Sequence, residues 1–251
     1  MSRSILLSFV IISIYFLTRK ILPILEFLNI ELADKSMRFS VYWGFSLVAV
    51  MITSALLYGS TAALYSLGLS KDVWTGLGRG LIWTIPTFLG YAVIGELNTE
   101  SLVPQSLLTV FVAASMEEVV FRGFLFGQLF HKANWGFIPA VAIGAILFGI
   151  GHLGQGDFPS QKLGIFTITM IGAIWFSWIY VEWESNLWVA IGLHFFMNLS
   201  WSLFSIDDTA LGGWGSNLFR ITTIGLSIVF TIMYRQHKGF FRINRNNLFH
   251  N

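Results

Sequence analysis

The stretch Phe111-Val112-Ala113-Ala114-Ser115-Met116-Glu117-Glu118-Val119-Val120-Phe121-Arg122-Gly123-Phe124-Leu125-Phe126 places two acids and a base inside a long apolar run. A charged side chain at bilayer depth costs about 2.5–3.5 kcal/mol on insertion scales. Ionisable groups there face protein or water, pair with one another, and mark functional sites by default. The pattern therefore points to an all-α membrane protein with a working site near Glu117, Glu118 and Arg122.

Composition agrees. The 251 residues are 55% hydrophobic and 11% charged, with a mean hydropathy of +0.70. Soluble domains carry about 25% charged residues, so the composition points away from a soluble globule. Aromatic residues reach 16%, which suits lipid-facing surfaces and interfacial belts. There is no cysteine, which removes disulfides, thiolate chemistry and Cys-ligated zinc. The net charge of +2 gives no basis for a nucleic-acid partner. The basic residues Arg235, Lys238, Arg242 and Arg245 read as an anchor beside the last span.

A span needs about 20 apolar residues. By that rule the apolar segments are 4–28 (broken near Pro23), 41–69, 80–95, 104–130, 135–153, 163–181, 186–204 and 217–234, giving a polytopic protein of about eight transmembrane helices. The N-terminal run lacks a small-x-small cleavage site and reads as a retained span. The expected organisation is a single integral membrane domain over residues 1–251, with its motif core at about 104–204. The basic residues slightly favour both termini in the cytoplasm. Glu182 and Glu184 beside Trp183 read as solvated loop charge, and His131 as a solvated residue.

Three segments carry polar pairs at helical spacing. Glu118 and Arg122 are i,i+4 with the acid first, the better orientation for a helical ion pair. Glu117 points about 100° away, free to face elsewhere. Phe148 and His152 share a face at the end of the fifth segment. His194 and Asn198 share one in the seventh. Small residues nearby, among them Gly144, Gly149, Gly151 and Gly192, permit close helix approach. Each pair has a structural reading: a buried salt bridge, an interfacial histidine, or hydrogen-bonding glue between helices. Together they supply a base, proton carriers and oxyanion donors.

In this order, Glu117-Glu118-x-x-x-Arg122, Phe148-x-x-x-His152 and His194-x-x-x-Asn198 resemble the CPBP family, the CAAX proteases and bacteriocin-processing enzymes also called the Abi family. The resemblance covers roughly residues 104–204. It implies an intramembrane glutamic endopeptidase that hydrolyses a peptide bond near the membrane, as in CAAX-type or leader-peptide processing. Glu117 is then the general base that activates water, and His152 positions or polarises that water. His194 and Asn198 stabilise the oxyanion. Glu118 and Arg122 support the site through an ion pair, with Phe148 beside them. The implied mechanism needs no metal or other cofactor. The implied partners are membrane lipid and a peptide or protein substrate, with prenylated tails and leader peptides among the family's substrates. The implied location is a multi-pass membrane position, the cell membrane in a bacterium. Two other readings stand beside it. In one, Glu117, His152 and His194 form a His₂Glu zinc site. In the other, the chain is a non-enzymatic immunity or scaffold protein.

Overall fold

The structure is a computed structural model that describes residues 3–250. Its architecture follows from the apolar runs. In lipid each backbone N–H and C=O must be satisfied within the chain, and a helix does so locally. Among the described residues the secondary structure is helical, with one isolated β-bridge between Trp135 and His250.

Twelve α-helices follow one another among the described residues. They are α1 (Arg3–Thr18), α2 (Ile21–Phe27), α3 (Lys35–Tyr58), α4 (Ser60–Ser66), α5 (Val73–Trp83), α6 (Ile85–Ile94), α7 (Pro104–Glu118), α8 (Gly127–His131), α9 (Phe137–His152), α10 (Pro159–Glu182), α11 (Leu187–Leu203) and α12 (Trp214–Lys238). Between α7 and α8 the helix widens to π geometry over Val119–Phe126.

The protein is a multi-pass membrane protein; among the described residues four to six crossings qualify by length and composition, and the expected eight are not confirmed. Four helices qualify outright: α3, α9 with its short extension, α10 and α12. Two bent pairs raise the figure to six: α1 with α2, bent by 52°, and α5 with α6, bent by 40°. The causes are local. The first bend falls at Arg19 and Lys20, just ahead of Pro23. The second falls at Thr84, two residues before Pro86, whose missing N–H weakens the ladder. Segment 41–69 is divided at Gly59, whose φ of +91° ends α3. Helix α11 has 17 residues, short for a crossing of about 30 Å at 1.5 Å per residue.

Packing fixes where the site helices lie. The α11 helix packs most closely against α5. A Cβ on Gly80 would stand 2.3 Å from the Gly192 carbonyl carbon, so the two backbones touch. Small residues make such approach possible. At Gly149 the same construction meets the Phe166 ring at 2.8 Å, whereas Gly151 has open space around it. The Asn186 side chain caps α11 and donates to the Asp72 carbonyl, while the Asp72 side chain caps α5. The two helix starts are thereby tied.

The far end of α10 corrects the loop-charge reading. Glu182 is fully buried and pairs with the equally buried Arg235 at 3.0 Å. Its carboxylate also accepts from the backbone of Arg242 and Ile243. Glu184 pairs with Arg235 at 2.8 Å and with Arg242. Arg235 is thus a structural partner of α10 and not a free interfacial anchor. His131 hydrogen-bonds Ser185 at 3.0 Å.

Candidate active site

Glu117 and Glu118 end α7, where the regular helix gives way to the π segment. Every residue from Val119 to Phe126 is buried. Single π turns in α-helices recur at functional sites. Here the widening brings the Arg122 carbonyl within 2.7 Å of where a Gly127 Cβ would stand, which favours glycine. The i,i+4 pair survives the change: Arg122 Nη1 donates to Glu118 Oε1 at 3.0 Å, with both side chains almost wholly buried. The guanidinium also lies over the rings of Phe148 (4.6 Å) and Phe176 (5.1 Å).

Helix α11 delivers His194 to the two acids. Its Nδ1 lies 2.7 Å from the same Glu118 Oε1. A carboxylate oxygen accepts, so Nδ1–H is the donor. That bond aims Nε2 at Glu117, whose Oε2 is 3.8 Å away. One histidine thus bridges the two carboxylates, held by one and presented to the other. The Phe176 ring packs against His194 at 5.4 Å.

Helix α9 supplies the third group. His152 Nδ1 lies 2.8 Å from the Phe148 carbonyl oxygen. A carbonyl only accepts, so Nδ1 carries the proton, and in the neutral ring Nε2 is left as an acceptor. Phe148 stacks beside His152 at 4.4 Å and beneath Arg122, so this one ring touches two site groups.

Glu117, Arg122, Phe148, His152, His194 and Asn198 line one cavity of about 750 Å³. Glu117 is partly open to it, at 23% exposure, while Glu118 is at 0%. Adjacent acids therefore have opposite environments, as the 100° offset between neighbouring helix positions requires. Asn198, one turn beyond His194, is exposed. The cavity reaches the polar loops that hold Gln155, Asp207 and Thr209. Ile171 on α10 and Ile221 on α12 also line it and are exposed. Among the described residues, no group of three or more His, Asp or Glu side chains is placed to hold a metal ion.

Residues 99–200 match the family model described as type II CAAX prenyl endopeptidase Rce1-like. The match agrees with the CPBP resemblance and indicates a membrane-embedded protease. It spans all the motif residues and leaves α1 to α6 and α12 outside. No curated protein and no solved structure matches the chain.

The sequence motifs miss two contacts of this site. One is the bond from His194 to Glu118, between residues 76 positions apart. The other is the pair of aromatic walls around Arg122, of which Phe176 belongs to no motif.

Proposed function

We propose that the protein is an intramembrane glutamic endopeptidase in which Glu117 activates the attacking water. The observation that carries this reading is the division of labour between neighbouring acids. Glu118 is buried and neutralised by Arg122, whereas Glu117 faces the cavity with His194 Nε2 at 3.8 Å. A general base must be open to its water and within reach of the reacting centre.

In this mechanism Glu117 takes a proton from water as the oxygen attacks the scissile carbonyl. His152 Nε2 accepts the second hydrogen bond of that water and fixes its lone pair toward the carbon. The negative charge that develops on the carbonyl oxygen meets the Asn198 amide and the N–H of His194 Nε2 in its doubly protonated form. Glu118, holding His194 Nδ1, keeps the ring in register. When the tetrahedral intermediate collapses, the C–N bond breaks and the proton held by Glu117 passes to the leaving amine.

The substrate class follows from the walls. Ile168, Ile171, Trp175, Phe176, Met197 and Ile224 give the cavity an apolar lining beside its polar end. Such a lining suits a peptide with an apolar or lipidated segment entering from the bilayer, its scissile bond held near Glu117. The test is cleavage of a peptide library, with and without an appended prenyl group, by the purified protein and by Glu117→Ala. Specific cleavage lost in Glu117→Ala is expected. Cleavage retained by that variant sinks the proposal.

A further inference from the structure

We infer that a second cavity, at the far end of α10 from the loops beside the Glu117 site, binds a phosphate-bearing anion, the headgroup of an acidic phospholipid. The cavity measures about 370 Å³ and shares no lining residue with the one that holds Glu117. Gln155, at the polar end of the Glu117 cavity, stands just before the start of α10. The second cavity is lined by Tyr180, Glu184 and Ser185, at the end of that helix and just past it. Helix α10 has 24 residues and is about 36 Å long. The proposed hydrolysis makes no use of this second cavity.

Its wall is built where two turns meet. The turn from α4 to α5 carries Gly68 and Lys71, and the turn from α10 to α11 carries Glu184 and Ser185. A Cβ on Gly68 would stand 2.2 Å from the Ser185 carbonyl oxygen, so the two turns are pressed together. Glu184 and Ser185 both have left-handed backbone, with φ of +60° and +53°. At non-glycine residues such conformations cost free energy and persist only where the surroundings hold them. On this wall the Ser185 hydroxyl meets His131 Nε2 at 3.0 Å, and the buried Tyr180 lines the same cavity.

The charges leave a positive surplus. Lys71, Lys132 and Arg242 line the cavity against one acid, Glu184. That acid is already occupied, because it pairs with Arg235 and Arg242, and Glu182 pairs with Arg235. Those two acids and two arginines cancel. Asp72, next to Lys71, accepts instead from the N–H groups of Trp74 and Thr75 at the start of α5. Among the described residues neither Lys71 nor Lys132 has a carboxylate within ion-pair reach. Each is placed by a ring: Lys71 lies 5.5 Å from the Tyr65 centre and Lys132 5.2 Å from that of Tyr58. A ring orients an ammonium and leaves its charge in place. Two uncompensated cations therefore face one cavity with hydroxyl groups on its wall, a donor set suited to phosphate oxygens. Basic pockets between membrane helices hold anionic headgroups in this way. The surroundings favour a lipid as the source. Tyr65 is exposed together with its neighbour Leu64, and Leu56 is exposed two positions before Tyr58. Acyl chains can lie on these residues while the headgroup reaches the lysines.

Native mass spectrometry of the intact protein in detergent, titrated with phosphatidylglycerol or phosphatidylcholine, tests the site. Wild type should bind phosphatidylglycerol in preference to phosphatidylcholine. Lys71→Gln with Lys132→Gln should weaken phosphatidylglycerol binding about 30-fold, from about fivefold for each lysine near a membrane surface. The single variants replace the double one if it does not fold, each with an expected loss of about fivefold. Lys35→Gln with Lys162→Gln removes the same charge elsewhere and should bind as wild type does. Thermal unfolding with inorganic phosphate alone separates the two sources. If phosphate stabilises wild type but not the Lys71, Lys132 variant, and phosphatidylglycerol has no advantage over phosphatidylcholine, the anion site stands and its lipid source is overturned. No difference between wild type and that variant with either probe overturns the inference. So does an equal loss in the Lys35, Lys162 variant, which would reduce the attraction to net charge.

Discussion

Removing Arg122 should destabilise the protein more than any surface change. In Arg122→Ala, Glu118 is left at 0% exposure with His194 as its one remaining side-chain partner. Breaking a buried pair by deleting one partner costs about 3–5 kcal/mol, because an uncompensated charge stays inside. The stacking of the guanidinium over Phe148 and Phe176 is lost as well, worth up to about 2 kcal/mol when desolvated. His194 can take a proton and partly compensate, so the lower end, about 3 kcal/mol, is the firm expectation. For a chain of this size that is a fall of at least about 6 °C in Tm. The assay is thermal unfolding of the purified protein in detergent, read by tryptophan fluorescence. A second variant separates charge from packing. Glu118→Gln with Arg122→Met removes both charges and keeps the volume, so it should be more stable than Arg122→Ala alone. A wild-type Tm for Arg122→Ala, or a double variant no better than the single one, would refute the ion-pair argument.

Three further outcomes are expected. Gly80→Val drives a branched side chain into the backbone of Gly192 and Leu193. It should cost about 1–3 kcal/mol and displace His194, read as a lower Tm together with lower kcat. Asn198→Ala should keep its Tm, since the residue is exposed, and lose about 10²–10³ in kcat with little change in substrate binding. The Asp72 carboxyl lies below its ordinary value of 3.8, chiefly because of the hydrogen bond from the Thr75 hydroxyl and then that from the Thr75 N–H. A depressed acid stabilises the fold above its ordinary value, and the effect is lost as pH falls through the lowered one. The Tm advantage of wild type over Asp72→Ala should therefore be present near neutrality and vanish in strong acid.

The motif pairs were legible because helical spacing alone places i and i+4 on one face. Glu118 with Arg122 needed no tertiary information, and neither did the divergence of Glu117 from Glu118. The meeting of the three pairs required the tertiary fold. His194 finds Glu118 only after α11 docks on α5 and α7, and no local pattern in the sequence encodes that docking. The π segment was hidden for a similar reason. Apart from Arg122 the residues Val119–Phe126 are apolar or glycine, and nothing in their pattern marks the widening. Counting apolar residues gave eight segments where four to six qualify by length and composition: segment 104–130 is divided at Glu118, where the π segment begins, and the helix of segment 186–204 has only 17 residues. Glu182 looked like loop charge beside Trp183, yet its partner Arg235 arrives from 53 positions away on α12.

The measurement closest to the central claim compares wild type with Glu117→Gln on one cleaved peptide, with exhaustive chelation and with matched Tm values. The substitution keeps the size and removes the base. Loss of a positioned general base typically lowers the rate about 10²–10⁴-fold, so a fall in kcat of that order is predicted, with chelation leaving the wild type active. A Glu117→Gln variant that turns over like wild type would contradict the account.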